Sequence, residues 1–338
     1  MITVGIIGAG RIGKVHAHSI STQIPNAKIK WMADPFMDAK TAKWAKGEGV
    51  QKVTKDYKDI LKDKEVDAVL ICSSTNTHSP ISIEAIKAGK HVFCEKPIDH
   101  SLAKIKAVID CLKKHPKIKY QVGFNRRFDH NFKAVKEAVQ AGKVGKTHLI
   151  KITSRDPAPP GIDYIKVSGG IFLDMMIHDF DMVRFLAGCD ATEIYANGAV
   201  LVDPAIGKAG DIDTAIVTMK MKNGALAVID NSRKAVYGYD QRAEVFGNKG
   251  MVMNANDSES NAVVANECGV TGEKPLLFFL ERYMAAYANE IKQFIEAIEK
   301  NKKTPVDVYD GLQPVLMGLA AKKSLKEHRP VKLSEIKF

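Results

Sequence analysis

Over the first 120 residues, short apolar runs alternate with amphipathic segments. The runs at 2–7, 28–33, 67–72, 91–94 and 120–124 are rich in β-branched side chains and bounded by Gly, Pro or polar residues, as buried strands are. Between them, segments such as 78–88 and 101–114 carry apolar positions at helical spacing. This alternation predicts a doubly wound α/β domain, a parallel sheet with helices on both faces that binds ligands beyond the carboxyl ends of its strands. The pattern changes near residues 122–125. A helix is predicted over 129–141 and a strand over 147–154, followed by the loop "RDPAPPGIDY" and a long apolar helix over about 170–187. Period-two strands follow at 191–202, 213–222 and 225–233, the last two joined by the hairpin signal Asn223-Gly224. Another strand pair flanks "GNKG" at 247–250, and helices over about 278–300 and 308–327 close the chain. This half reads as an α+β domain with a largely antiparallel, open sheet. The boundary is placed between 123 and 124, with the late helices free to pack back on the first domain.

The first strand runs into "GAGRIG", and a helical pattern starts immediately after it. Strand, G-x-G-x-x-G and helix in this order form the dinucleotide fingerprint of a Rossmann domain. Gly8 makes the tight turn, Gly10 lets a pyrophosphate approach the backbone, and Gly13 lets helix and strand pack closely. Arg11 and Ile12, within the loop, share this cofactor assignment. The second strand ends at Asp34, 21 residues beyond Gly13. A carboxylate there accepts hydrogen bonds from the adenosine ribose and repels a 2′-phosphate, and Pro35 and Phe36 supply no arginine to offset that repulsion. NAD is therefore favoured over NADP, although Asp34 as a plain turn cap would fit either cofactor. Ser73, Ser74, Thr75, Asn76 and His78 follow the run 67–72 and Glu95 and Lys96 the run 91–94, so these residues are assigned to the same crevice. The alternative for them is ordinary capping of strand-to-helix turns.

Composition changes this picture little. The chain of 338 residues is 45% hydrophobic and 26% charged, values of an ordinary globular protein long enough for two domains. No apolar run approaches the roughly 20 residues of a membrane span. The five cysteines, Cys72, Cys94, Cys111, Cys189 and Cys268, are scattered and form no C-x-x-C pair, which argues against a disulfide framework or structural zinc. With no leader ahead of the first strand, a reducing cytoplasm is the expected compartment. The formal charge of +11 raises the question of nucleic acid. Its lysines are dispersed, however, and the densest patch, "KKHPKIK" at 113–119, has no stacking aromatics beside it, so no nucleic-acid partner is expected.

Two places carry candidate chemistry. "HVFCEKPI" sets Lys96 at the end of the strand 91–94, where a nicotinamide would lie; its ammonium could stabilise a substrate hydroxyl as it becomes an alkoxide. In "GGIFLDMMIHDFDMVRFLAG", Asp174, His178 and Asp181 fall four and three residues apart on one stripe of a helix that is apolar nearly all round. Buried carboxylates are costly unless paired or facing a polar cavity, and histidine is the side chain best suited to take a proton near neutral pH. Three readings of the pair stand open: a proton-transfer site, a satisfied core histidine with a helix ion pair, and a shared metal ion. A third ligand cluster is not evident, so no metal is assigned. Asp179, on the opposite side, receives no role.

At these residues the chain resembles the glucose–fructose oxidoreductase and inositol dehydrogenase family of nicotinamide-dependent, two-domain enzymes. "VGIIGAGRIGKVHA", "VFCEKPI" and "DMMIHDFD" stand in that family's order and spacing, and the resemblance covers essentially the whole chain. "YQVGFNRRFD", "SRDP" and "YGYD" are similar to stretches of inositol dehydrogenases. The resemblance implies a catalytic set of Lys96, Asp174 and His178, with substrate contacts from Arg126, Asp156, Asp174, His178 and Tyr237. It also implies a homotetramer packed through the open sheet of the second domain, and NAD-dependent oxidation of a cyclitol hydroxyl, most simply that of myo-inositol at C2. Asn125, Asp156 and the loop "PAPPGIDY" depart from the family pattern and leave scyllo-inositol or a pyranose sugar as alternatives. A non-catalytic NAD-binding regulator would have little use for Lys96 and His178 together.

Overall fold

The computed structural model describes residues 1–338, which divide into two compact units. The first comprises Met1–Phe128, Ala285–Leu312 and Phe338. Its strands are β1 (Ile2–Ile7), β2 (Ala27–Ala33), β3 (Lys52–Thr54), β4 (Ala68–Ile71), β5 (His91–Glu95) and β6 (Tyr120–Gly123), all parallel, in the order β3-β2-β1-β4-β5-β6. The order reverses between β1 and β4, and the crevice of such a sheet opens at that switch point. β4 is buried along its whole length, and so is nearly all of β1, as strands covered on both faces must be. The helix Met284–Glu299 covers this core from far along the chain. Its Phe294 ring lies 5.9 Å from that of Phe93, and Ile291 and Ile295 are likewise fully buried among first-unit residues.

The second unit comprises Asp129–Met284 and Gln313–Lys337. Its strands are β7 (Thr147–Arg155), β8 (Ala191–Ala199), β9 (Thr214–Met221), β10 (Leu226–Ser232), β11 (Asp240–Gly247), β12 (Gly250–Met253), β13 (Val263–Asn266), β14 (Gly269–Gly272) and β15 (Val331–Lys332). Seven of them form one sheet, β12-β11-β7-β10-β9-β8-β15, while β13 and β14 form a separate hairpin. The large sheet is mixed, because β7 and β10 pair in parallel while its other pairs are antiparallel. Along β7, β9 and β11, buried Ile150, Ile152, Val217 and Val245 alternate with exposed neighbours, so only one face is covered. The open face carries Leu149, Ile216, Leu226, Phe246, Met251 and Met253, which are 43–58% exposed. No helix is long and apolar enough to cross a membrane.

One expectation changes in a way that matters for the chemistry. The single helix predicted over 170–187 is two helices, Ile171–Asp174 and Ile177–Ala187, separated at Met175-Met176. No glycine or proline interrupts this stretch; instead Met176 N–H donates to the Ile171 carbonyl (2.8 Å), five residues back, which widens the turn. Asp174 therefore ends one helix, and His178 lies in the first turn of the next.

Candidate active site

The glycine loop is built as the fingerprint requires. Gly8 has φ +104°, and a Cβ there would meet the Cys72 carbonyl group at 2.6 Å. A Cβ on Gly13 would collide with the Gly8 carbonyl oxygen. Both positions are closed by backbone, so both glycines are needed for the fold itself. Gly10 differs: nothing lies within 4 Å of its missing Cβ, and it caps the N-terminus of the 13-residue helix Arg11–Gln23, whose first turn holds no acidic residue. That open space at a positive helix end suits a pyrophosphate. Asp34 closes the other side: its carboxylate accepts from Ala9 N–H (2.7 Å) and Phe36 N–H (2.8 Å), tying the end of β2 to the glycine loop. The residues thus fit a dinucleotide.

At the end of β4, Ser73 Oγ and Thr77 Oγ1 are 2.6 Å apart, and Ser74 precedes the helix Thr75–Lys87, which also carries Asn76. His78 is only 2% exposed, with Nδ1 2.8 Å from the Pro97 carbonyl oxygen and Nε2 2.9 Å from that of Ser73. Its ring braces the turns after β4 and β5 against each other. Burial opposes its charge, but the Cys94 sulfur and these two carbonyls outweigh burial and raise its pKa to about 9.

Lys96 follows β5, half-buried, and its peptide bond to Pro97 is cis. Beneath it lies a polar cluster that the sequence did not disclose. Glu95 bonds His16 Nε2 through Oε1 (2.8 Å) and accepts the Lys96 backbone N–H through Oε2 (3.3 Å). Glu290, fully buried on the helix Met284–Glu299, joins them, with one polar atom of each of the three within 4.8 Å of the others. Neither Glu290 oxygen has a hydrogen-bond partner, and burial together with the Glu95 charge pushes its pKa well up, favouring the neutral carboxyl. Arg126 is 4% exposed in the short helix Asn125–Phe128.

In the second unit, the helix break orients Asp174. Tyr164, on the helix Ile162–Ser168 that follows the proline-rich loop, donates its hydroxyl to Asp174 Oδ1 (2.8 Å). Arg233, just after β10, approaches the other oxygen, with Nη1 3.6 Å from Oδ2. Asp179 is fully buried and accepts from Asn231 Nδ2 (3.0 Å), while Asp181 is buried 3.9 Å from Arg184 Nη1. Tyr237 donates to Asp240 Oδ2 (2.7 Å) and accepts from Arg155 Nη1 (3.1 Å). Burial and the Asp240 contact raise the Tyr237 pKa. Burial alone would raise Asp240, but Arg242, Asn256 and Tyr237 hold it at about 2. Asp156 directly follows β7, its N–H donating to Ser232 O at the end of β10 (2.9 Å) and its carbonyl accepting from Ala235 N–H just beyond (2.7 Å). Tyr164 and Arg233 were missed because each reaches Asp174 through tertiary packing and neither lies in a motif.

The dinucleotide cradle of the first unit is that of a nicotinamide-dependent oxidoreductase, and in the second unit Tyr164 and Arg233 meet at Asp174. Comparison with known proteins agrees. Residues 2–124 match the model of the oxidoreductase family with the NAD-binding Rossmann fold, and residues 132–253 match the GFO/IDH/MocA C-terminal domain. The chain belongs to the GFO/IDH/MocA oxidoreductase family. It is 52% identical to the myo-inositol 2-dehydrogenase of Thermotoga maritima over 98% of this chain and 99% of that protein. It is 44% identical to the inositol 2-dehydrogenase of Rhizobium meliloti, over 98% and 99%. The solved structure of scyllo-inositol dehydrogenase from Lactobacillus casei with bound NAD(H) and scyllo-inositol superposes with a TM-score of 0.91, covering 99% of both chains at 33% identity.

Proposed function

We propose that this protein oxidises myo-inositol to the 2-keto compound with NAD. The observation that carries this reading is the Asp174 cluster, which already receives one hydroxyl group, in a chain aligned nearly end to end with named inositol 2-dehydrogenases. The bound nicotinamide supplies the hydride acceptor. Gly10 and the start of the helix Arg11–Gln23 receive the pyrophosphate, and Asp34 the adenosine ribose, which disfavours a 2′-phosphate. Ser73, Ser74, Thr75 and Asn76 line the crevice, with His78 bracing it from behind.

Chemistry falls to Lys96, Asp174 and His178. His178 takes the proton of the ring hydroxyl as the C–H hydride departs and the C–O bond becomes a carbonyl. Lys96 stabilises the developing negative charge on that oxygen, and Asp174 orients the polyol. Arg126, Asp156 and Tyr237 hold neighbouring hydroxyls, because a site built to hydrogen-bond hydroxyls rejects analogues that lack them. The half-exposed apolar face of the large sheet supports assembly through that surface into a homotetramer, and five free cysteines support a reducing, cytoplasmic setting for inositol breakdown.

The test is NADH formation with NAD and, separately, myo-inositol, scyllo-inositol and D-glucose. A clear preference for myo-inositol is the expected outcome. Preference for scyllo-inositol or glucose would keep the chemistry and change the substrate, and no turnover of any of the three would overturn the reading.

A further inference from the structure

The two oxygens of Asp174 stand in different surroundings. Oδ1 accepts a hydrogen bond from Tyr164, a residue 51% exposed, while the Asp174 side chain itself is 13% exposed. Oδ2 faces the guanidinium of Arg233, whose side chain is 1% exposed and counts among the largest fully buried side chains of the protein. A buried guanidinium needs paired carboxylates, and this one lies between two: Asp174 Oδ2 at 3.6 Å from Nη1 and Asp211 Oδ2 at 3.4 Å from Nη2. Its own backbone N–H is fixed by the Asp213 carbonyl (2.9 Å).

Asp211 is anchored in turn. Its Oδ1 accepts from Ile171 N–H (3.1 Å), the first residue of the helix that ends in Asp174. Gly170, at φ +77°, lies so close to Asp211 that a Cβ would come within 2.7 Å of Oδ1. One carboxylate thus holds both the start of the Asp174 helix and the arginine that faces its last residue. We infer that Arg233, anchored by Asp211, is a positioning residue: it holds Oδ2 of Asp174 inward and leaves Oδ1 facing outward for a substrate hydroxyl. The Tyr164 phenol marks the direction from which that hydroxyl donates. The inference rests on the reading that Asp174 orients the polyol, and it adds the two residues that aim it.

The test compares wild type with Arg233→Met, Arg233→Lys and Asp211→Asn, measuring kcat, the KM for myo-inositol, NAD affinity by fluorescence and thermal stability. Arg233→Met should raise KM for the polyol about tenfold or more and lower kcat, with NAD affinity within about twofold of wild type. Arg233→Lys should recover much of the loss by restoring a cation. Asp211→Asn keeps an acceptor for Ile171 N–H and the side-chain volume, so it serves as the folded probe if Arg233→Met does not fold; it should show the same KM shift, smaller. Unchanged KM and kcat in folded variants would overturn the inference. So would a loss confined to kcat in proportion to lost folded protein, the mark of a structural role alone. A wild-type protein that oxidises no inositol would overturn the functional reading and this one with it, and it is recognised before any variant is compared.

Discussion

The two units are constructed differently at the residues proposed for function. In the first unit the surface proposed for the cofactor is backbone: a glycine loop, a helix end and strand-to-helix turns whose geometry follows from residue types a few positions apart. In the second, the proposed substrate-orienting carboxylate is held by other side chains, Tyr164 and Arg233 on Asp174 and Asp211 on Arg233, across separations of 10 to 59 residues. The contrast teaches that a cofactor common to many enzymes can be held by local backbone rules, whereas a particular substrate needs groups gathered by the whole fold.

The sharpest way to break that contrast is within the glycine loop itself. Gly8→Ala forces a Cβ against the Cys72 backbone at a positive φ and should destabilise the protein by roughly 2–5 kcal/mol in chemical denaturation. Gly10→Ala meets no protein atom, so stability should change by no more than about 1 kcal/mol while NAD affinity falls tenfold or more. If Gly10→Ala instead unfolded the chain with NAD affinity intact, the assignment of its open space to the pyrophosphate would fail.

A smaller effect separates the buried scaffold from the reacting groups. Glu290 is neutral in the folded protein well above 4.5, the value at which its carboxyl titrates when unfolded. The unfolded chain therefore binds fewer protons above that pH, and folding stability falls as pH rises, by about 1.4 kcal/mol per unit at most, until the folded carboxyl ionises. Glu290→Gln removes this slope. Unfolding measured between pH 4.5 and 8 should show the variant gaining on wild type as pH rises; an advantage that grew toward acid pH would have the wrong sign.

The same contrast explains what could be read from residues alone. The first sheet was legible almost strand by strand, because β1, β4 and β5 are short apolar runs between turn residues. Asn223-Gly224 marked its hairpin because Gly224, at φ +88°, is a conformation that glycine accepts without strain. The break at Met175-Met176 was hidden, since no glycine or proline marks it and methionine is a good helix former. The small helix Pro204–Lys208 and the hairpin of β13 and β14 lack a buried periodic face to reveal them. Lys96, Asp174 and His178 stood out by type and spacing. Arg233 and Asp211 did not, because a buried ion pair has no sequence period.

The account stands most directly on His178. The decisive measurement is NADH formation from myo-inositol by His178→Ala beside wild type, with NAD affinity determined for both. The prediction is a loss of turnover of about a hundredfold or more with NAD affinity unchanged, the contribution of a general base acting apart from the cofactor cradle. Turnover within a few-fold of wild type would contradict it and move the proton chemistry to another residue.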